Sequence, residues 1–319
     1  MTKLPIIQSL WIGSRLSTME KLCIVSFIKQ GHAFHLYTYG EVAEVPQGTI
    51  VKDANEIIAS DKIFKYKDHN SYAGFANMFR YKLLFEKGGY WVDMDNICLE
   101  PFDSEQEYVF SSQRPKNPVS EYILQEPNNG VIRVPKGSEI MAFCYKEAAQ
   151  KDKNKIKWGE TGPKLLEKAV EKYGLNAHVA KPEVYCAVNW WEWDRFIDGT
   201  VGKNILSNAR SVHLWNEMWR RHGIDKECQF HKDSLYEYFK SRYLDSVYDE
   251  TRPVFTLNKH LKNYNNQEID TIRDSAIALE KTNIKLAYEL MCIAHNGRPN
   301  GKFIKKKLEE YKQLLMQPV

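Results

Sequence analysis

Two aspartates, Asp93 and Asp95, are separated by one residue and directly follow the apolar run Tyr90-Trp91-Val92. Side chains at positions i and i+2 of an extended chain face the same way. We therefore expect both carboxylates to reach one hard cation, directly or through its waters. Mn²⁺ or Mg²⁺ is the expected ion, because these ions favour oxygen ligands and keep open positions for phosphate. Such an ion would neutralise the charge that builds on a departing nucleotide diphosphate.

A cationic side chain precedes this pair on a predicted helix. The spacing of apolar residues predicts a helix from Tyr72 to Glu86 that ends at Gly88. Arg80 lies on this helix, with Asn77 on the same face three residues earlier. A guanidinium is a suitable bidentate clamp for a diphosphate or for sugar hydroxyls. The alternative is a surface ion pair between Arg80 and Glu86.

The whole segment Phe75–Asp95, FANMFRYKLLFEKGGYWVDMD, resembles the sugar-binding region of the bacterial D-x-D glycosyltransferases. This group, similar to glycosyltransferase family 32, includes capsule and lipooligosaccharide transferases and is related to the glycosylating toxins. Its members run from a helix with an arginine through Gly-Gly and an aromatic strand to the D-x-D triplet. Ile6–Gly13, IIQSLWIG, is similar to the first strand of the family, whose end lies near the nucleotide base. The resemblance implies a GT-A-like fold, a nucleotide-sugar donor (a UDP-sugar above all) and retention of anomeric configuration.

The resemblance also implies roles for individual residues. Asp93, Asp95 and a late histidine beside a tryptophan, His213, are the expected metal ligands, since neutral imidazole binds Mn²⁺ well. A core histidine packed among aromatic rings is the alternative for His213. Arg80, Asp93 and Asp95 are the expected catalytic residues. The expected donor-binding residues are Trp11, Gly13, Asn77, Arg80, Tyr81, Gly89, Trp91, Asn129 and Gly130.

One position departs from the family pattern. The family usually has an aspartate three residues before the helix arginine, where it contacts the ribose or sugar of the donor, and this chain has Asn77. Asparagine donates and accepts hydrogen bonds but cannot be an anionic partner. This substitution leaves the identity of the donor sugar open, more than the class of reaction.

Two further segments are candidates for acceptor binding. Glu160 and Thr161 follow a Trp-Gly turn at the start of a predicted helix, whose N-terminus would bind an anionic group or line an acceptor pocket. Trp190 and Trp191 belong to the densest aromatic cluster, NWWEWD, and would form a platform for a saccharide acceptor. An ordinary turn and packing against a helical extension are the respective alternatives.

The elements around these residues indicate an α/β protein. An apolar run at 6–12, a helix from Ser17 to Lys29 with a capping box formed with Glu20, and a β-rich run at 34–39 form a βαβ unit, which predicts a parallel sheet. Beyond residue 230 the pattern is mostly helical. This pattern predicts an α/β domain over 1–230, which the resemblance implies is a GT-A-like catalytic domain, and a helical C-terminal extension over 231–319. Further helices are expected at 56–64, 139–150 and 163–173, and strands at 108–112 and 130–134.

Composition excludes several other classes of protein. The 319-residue chain has a net charge of only +4, which is too weak for a nucleic-acid-binding protein. Its six cysteines include no C-x-x-C pair, which argues against a zinc cage or a disulfide framework and favours a reducing, cytoplasmic location. The aromatic content of 13% is typical of sugar-binding proteins but also of a well-packed core.

The end of the chain is basic. Gly301–Leu308, GKFIKKKL, is weakly amphipathic, as are helices that contact an anionic membrane surface at its inner face. A solvated helix face is the alternative. A lipid-linked glycan acceptor would favour the membrane contact.

Motifs of other enzyme classes are missing from the sequence. It has no P-loop, no G-x-G-x-x-G and no G-x-S-x-G pattern. The favoured hypothesis is a metal-dependent hexosyltransferase of surface polysaccharide or lipooligosaccharide synthesis. Two alternatives remain: a metal-dependent nucleotidyl- or phosphotransferase that uses the same aspartates, and a non-catalytic carbohydrate-binding protein.

Overall fold

The computed structural model describes residues 4–66, 70–103, 105–116, 125–200, 202–256 and 265–315. The chain divides into two compact units. One unit comprises Met1–Trp215 with Gln229–Arg252, and the other comprises Asn216–Cys228 with Pro253–Val319. The first unit therefore includes a segment beyond residue 230, and the second begins before it.

A six-stranded mixed sheet forms the centre of the first unit. Its strands are β1 (Ile7–Trp11), β2 (Phe34–Thr38), β3 (Thr49–Asp53), β4 (Gly89–Val92), β6 (Val109–Gln113) and β7 (Glu126–Val134). They lie in the order β3-β2-β1-β4-β7-β6.

β1 is parallel to β2 and β4, and β2 is parallel to β3, as the βαβ pattern predicts. β7 is antiparallel to both β4 and β6, so the prediction of a parallel sheet is wrong for these strands. Neighbouring antiparallel strands need no crossover helix, and the βαβ pattern does not reach that far.

A second, two-stranded sheet pairs β5 (Asn96–Cys98) with β8 (Ser211–His213) in antiparallel orientation. Its register places His213 opposite Asn96. The backbone N–H of Leu214 also donates to the carbonyl of Asp95, at 2.8 Å. This small sheet therefore brings two segments together that are far apart in the sequence.

Ten α-helices lie in the ranges that the structure describes, and those of the first unit cover both faces of the six-stranded sheet. On one face, α2, α3 and α4 share a core with the strand residues Leu10, Trp91 and Ile132. On the other, Phe27 of α1 contacts Phe34 of β2, with ring centroids 5.9 Å apart. The predicted α/β class is thus confirmed. The helices are α1 (Thr18–Lys29), α2 (Ala73–Lys87), α3 (Glu139–Gln150), α4 (Pro163–Lys172), α5 (Pro182–Tyr185), α6 (Asn216–Arg221), α7 (Leu235–Leu244), α8 (Asn266–Leu279), α9 (Ile284–Gly297) and α10 (Lys302–Leu315).

The helix expected at 56–64 is replaced by two 3₁₀ turns, Ala54–Glu56 and Ser60–Lys62. Asp53 accepts a hydrogen bond from the backbone N–H of Asn55 at 2.8 Å, and the Asn55 side chain accepts one from the N–H of Ser60 at 2.9 Å. Such side-chain bonds to nearby backbone compete with a continuous helix. The helices expected at 17–29, 72–86, 139–150 and 163–173 are present within two residues of their predicted ends.

The second unit consists of α6 and α8 to α10 and has an apolar core of its own. Arg298 extends from the end of α9 to the Asp270 carboxylate of α8, at 2.8 Å. Among the described residues, no helix is both long and apolar enough to cross a membrane. The core of this unit contains Ile269, Ala276, Ala287, Met291, Ala294, Ile304 and Tyr311.

Candidate active site

Asp93 and Asp95 lie on a tight turn that connects β4 of the large sheet to β5 of the small one. The carbonyl of Asp93 accepts from the N–H of Asn96 at 3.1 Å, and the N–H of Asp93 donates to the carbonyl of Gly130 on β7 at 2.8 Å. We expected an extended segment, and that detail is wrong. The carboxylates come together because the chain turns between two sheets, not because alternate side chains of a strand share a face.

His213 reaches the turn from β8. Its Nε2 lies 3.1 Å from Oδ2 of Asp95, and both side chains are buried. The imidazole stacks on Trp215 with ring centroids 4.1 Å apart. The Trp215 indole N–H in turn donates to the carbonyl of Val188 at 2.9 Å. The orientation of His213 is therefore fixed from two sides.

Donor atoms of Asp93, Asp95 and His213 all lie within 4.8 Å of one another. Burial lowers the pKa of His213, but the Asp95 carboxylate outweighs it and raises this pKa well above its usual value. The cluster thus favours positive charge beside Asp95. The two carboxylates suit Mn²⁺ or Mg²⁺, and the imidazole, once a bound cation displaces its proton, would add a nitrogen ligand. These residues therefore suit the predicted metal.

Arg80 is buried under the same turn, at 4% exposure. It forms an ion pair with Asp93, donates from Nη1 to Oδ1 of Asn77 at 2.8 Å, and lies over the Trp91 ring at 4.8 Å. The Trp91 indole N–H also donates to the Asp93 carboxylate at 2.8 Å. The alternative surface pair with Glu86 is not formed, because Glu86 lies beside Lys82 instead.

A buried polar network extends from Asn77. The Tyr81 hydroxyl donates to the carbonyl of Thr161 at 2.9 Å and accepts from Nδ2 of Asn129 at 2.8 Å. Nδ2 of Asn77 lies 3.5 Å from the Thr161 hydroxyl oxygen. Four residues predicted from three separate parts of the sequence therefore meet beside Arg80.

Within the described residues, four buried polar atoms of this region have no hydrogen-bond partner: Nε of Arg80, Oδ1 of Asn96, Oδ1 of Asn129 and Nδ1 of His213. Buried polar groups are nearly always paired, so exceptions call for an explanation. Nε of Arg80 is a donor and the two amide oxygens are acceptors, and each of these atoms is enclosed by protein.

Trp11 and the three glycines predicted to bind the donor lie in different parts of the fold. Trp11 ends β1, and a Cβ at Gly13 would lie 3.0 Å from its indole nitrogen. A Cβ at Gly130 would lie 3.1 Å from Nδ1 of His213, so this position admits no side chain without movement of the imidazole. Gly89 begins β4, about 13 Å along the strand from Asp93 at its far end. It therefore turns the chain into the strand and does not lie beside the carboxylates.

Two models of known protein families match segments of this chain that contain the site residues. Residues 10–113 match the model of the glycosyltransferase sugar-binding region containing the DXD motif, and residues 134–251 match that of the alpha 1,4-glycosyltransferase conserved region. The first range contains Asp93, Asp95 and Arg80, and the second contains His213. Both models describe glycosyltransferases, so the chain is a glycosyltransferase, consistent with a family that carries the DXD motif.

Solved structures similar to this glycosyltransferase include a PaToxG glycosyltransferase, at 16% identity and a TM-score of 0.38, with 55% of this chain and 73% of the other covered. A transferase mutant with two cysteine-to-serine substitutions matches at 12% identity and a TM-score of 0.35, with 54% and 85% covered. No curated protein matches the sequence significantly.

The residues predicted for acceptor binding fall in two places. Thr161 is buried against Asn77 and Tyr81, whereas the half-exposed Glu160 carboxylate accepts from Lys151 Nζ at 2.7 Å and from the Lys157 N–H at 3.0 Å. Trp190 and Trp191 are both half-buried. Their rings contact each other edge to face, with centroids 5.5 Å apart. Their segment follows Val188, which accepts from Trp215, so it adjoins the histidine side of the glycosyltransferase site.

Sequence reasoning assigned no role to Trp215, which contributes to the site through its stack on His213. Its backbone has a φ of +60°, which a bulky side chain rarely adopts. Such strained residues cluster at functional sites. The signal available in the sequence was its position two residues after His213.

Proposed function

We propose that this glycosyltransferase uses Mn²⁺ or Mg²⁺ to transfer a hexose from a nucleotide-sugar donor, most simply a UDP-sugar, to a saccharide acceptor. The convergence of Asp93, Asp95 and His213 within 4.8 Å, with Arg80 paired to Asp93, carries this proposal. A bound divalent ion would supply positive charge to the diphosphate as it leaves. The three donor side chains would hold that ion.

The protein's own groups have distinct tasks in this reaction. The Arg80 guanidinium, held by Asp93, Asn77 and Trp91, places a fixed positive charge beside the aspartates, where it would attract the donor diphosphate. Asn129 remains a proposed donor-binding residue, and the Tyr81 hydroxyl fixes its side chain by accepting from its amide. Trp11, at the end of β1, is the candidate ring for the nucleotide base. Tyr81 accepts from Asn129 and Trp91 donates to Asp93, so we assign both to positioning these groups.

Retention of configuration is part of the proposal. The family model that matches 134–251 is described by alpha 1,4 transfer. An α-linked product formed from an α-linked UDP-sugar retains the anomeric configuration. We further propose that the product belongs to a surface polysaccharide or lipooligosaccharide, with a saccharide or lipid-linked glycan as the acceptor.

Two alternatives from the sequence are less well supported. A nucleotidyl- or phosphotransferase would use the aspartates without transferring sugar, and a carbohydrate-binding protein would need no metal. Both family matches are to glycosyltransferases, and neither alternative explains them.

The test is incubation of the protein with UDP-, GDP- and CMP-sugars, with and without Mn²⁺. We expect hydrolysis of one donor class that requires metal. Asp95→Asn should lower the rate at least about a hundred-fold, because its carboxylate would no longer stabilise the cation. Asp61→Asn, which removes an exposed carboxylate on a 3₁₀ turn, is the matched control and should leave the rate unchanged. Metal-independent turnover, or an Asp95→Asn variant as active as the control, would overturn the proposal.

The cellular location remains a separate proposal. We place the enzyme in the cytoplasm, with α10 at the inner face of the membrane. Lys302, Phe303, Lys305 and Lys306 are all exposed on this helix, and such a mixture of basic and apolar side chains suits an anionic surface. Sedimentation with anionic vesicles should carry the wild type down but not Phe303→Glu, and equal sedimentation of the two would contradict this placement.

A further inference from the structure

Trp158 lies on the loop between α3 and α4, beside the polar network of the site. Its indole is 37% exposed, although it is one of the largest apolar side chains of the protein. The ring rests on Tyr66, with centroids 5.2 Å apart and an angle of 45° between the planes. Tyr66 is buried, and part of the Trp158 ring remains accessible.

The loop that carries Trp158 is attached to the donor network. The Tyr66 hydroxyl lies 3.4 Å from the Thr161 hydroxyl, and the Thr161 carbonyl accepts from Tyr81 on α2. A Cβ at Gly162 would lie 3.0 Å from Nδ2 of Asn77, so the loop backbone packs closely on that side chain. Contacts thus run without a break from Trp158 to Asn77, which binds Arg80.

The loop is also held in one conformation. The Glu160 carboxylate accepts from Lys151 at the start of the loop and from the backbone of Lys157 just before Trp158. Tyr66 packs on the first turn of α2, where a Cβ at Gly74 would lie 3.1 Å from its ring. A ring that is fixed before binding loses little conformational freedom when a ligand stacks on it.

We infer that Trp158 is a stacking platform for a saccharide ring of the acceptor, at the outer edge of the active site. This rests on the proposed transfer to a saccharide. A flat, rigid and partly exposed indole suits the apolar face of a pyranose, and Thr161 lies between it and the donor network. The nucleotide base is the competing occupant, and Trp11 at the end of β1 is the better candidate for that role.

The probe is an immobilised array of neutral and acidic oligosaccharides, bound by the full-length protein. We expect Trp158→Leu to lose about ten-fold in apparent affinity for the glycans that the wild type binds, and Trp158→Phe to lose less. Phe85→Leu is the matched control, since Phe85 on α2 has almost the same exposure, 38%, and should bind like the wild type.

Three results would overturn the inference: equal glycan binding by Trp158→Leu and Phe85→Leu, a wild type that binds no glycan, or a greater loss of UDP affinity than of glycan affinity in Trp158→Leu. Donor hydrolysis by the wild type is measured in parallel. Hydrolysis without Trp158-dependent glycan binding refutes only the platform, whereas glycan binding without hydrolysis of any donor refutes the proposed function. The melting temperature of each variant shows whether it folds. If Trp158→Leu does not fold, the comparison of glycan binding by Trp158→Phe and the wild type decides the test.

Discussion

At the scale of single residues, the ion pair between buried Arg80 and partly exposed Asp93 decides how the site can be tested. Arg80 is almost fully enclosed, and removal of one member of a buried ion pair typically costs about 3–5 kcal/mol of stability. Truncation to alanine would therefore mix a folding defect with a catalytic one. A lysine keeps the charge but loses the planar fork that contacts Asp93 and Asn77.

We expect Arg80→Lys to lower kcat/KM for the donor by about a hundred-fold, because one ammonium cannot replace several oriented N–H donors. Steady-state donor hydrolysis measures this, with circular dichroism as the check on folding. Arg242→Lys on the exposed face of α7 is the control. A variant within about three-fold of the wild type would show that Arg80 serves structure alone.

Asn77 is the residue that we expect to influence which donor sugar the enzyme accepts. Its Oδ1 accepts from Arg80, and its amide faces Thr161 and Gly162. An aspartate here would add a charge that competes with Asp93 for the same guanidinium. It would also replace an N–H donor with an acceptor.

We therefore predict that Asn77→Asp alters the ratio of kcat/KM between UDP-glucose, UDP-galactose and their N-acetyl forms by about ten-fold. The Mn²⁺ concentration for half-maximal rate should change little, because Asn77 lies outside the metal cluster. Competition between paired donors measures the ratio. An unchanged preference, or a large shift in Mn²⁺ dependence, would count against a role in donor selection.

At the scale of elements, the connection from α2 to β4 holds Arg80 and Asp93 in register. Gly88 has a φ of +65°, and a Cβ there would lie 2.5 Å from the backbone nitrogen of Lys136. No side chain fits without a shift of backbone. The chain therefore reverses at a fixed point, and α2 lies over the strand that leads to the aspartates.

Gly88→Ala should lower the free energy of unfolding by about 2–4 kcal/mol, through strain in the backbone and the clash with Lys136. Gly137→Ala is a matched control: its φ is +77°, but open space surrounds the position. We expect only about 1 kcal/mol for that change. Urea unfolding measures both, and equal losses would mean that the close contact at Gly88 has no energetic weight.

At the scale of the whole molecule, the candidate site depends on the folded state. Asp95 and His213 are 118 residues apart in sequence, and only the paired strands β5 and β8 bring them together. A ligand that needs both residues binds only the folded chain and not the unfolded one. Its binding therefore raises the apparent free energy of unfolding.

Mn²⁺ with UDP at about a hundred times their dissociation constants should raise the melting temperature by about 5 °C or more. UDP with EDTA should give a much smaller shift, as should Mn²⁺ and UDP with His213→Ala. Differential scanning fluorimetry measures these shifts. Equal shifts with and without metal would argue against a shared site for metal and nucleotide.

The sequence by itself determined the features that depend on local spacing. The βαβ start, the end of α2 near Gly88 and the position of Asp93 directly after a strand all follow from apolar periodicity and helix-stop residues. The mixed sheet was not predictable in this way, because strand direction beyond the βαβ unit depends on pairing between distant segments. The 3₁₀ turns near Asp53 were missed because side-chain bonds overrode helical periodicity.

Only the tertiary structure decided what Asp93 and Asp95 face. The turn between two sheets set their orientation, and the register of β5 and β8 placed His213 beside Asp95. The burial of Arg80 selected Asp93 over Glu86 as its partner. Residue types and spacing specify which groups are available for chemistry, whereas long-range strand pairing and burial specify which of them meet.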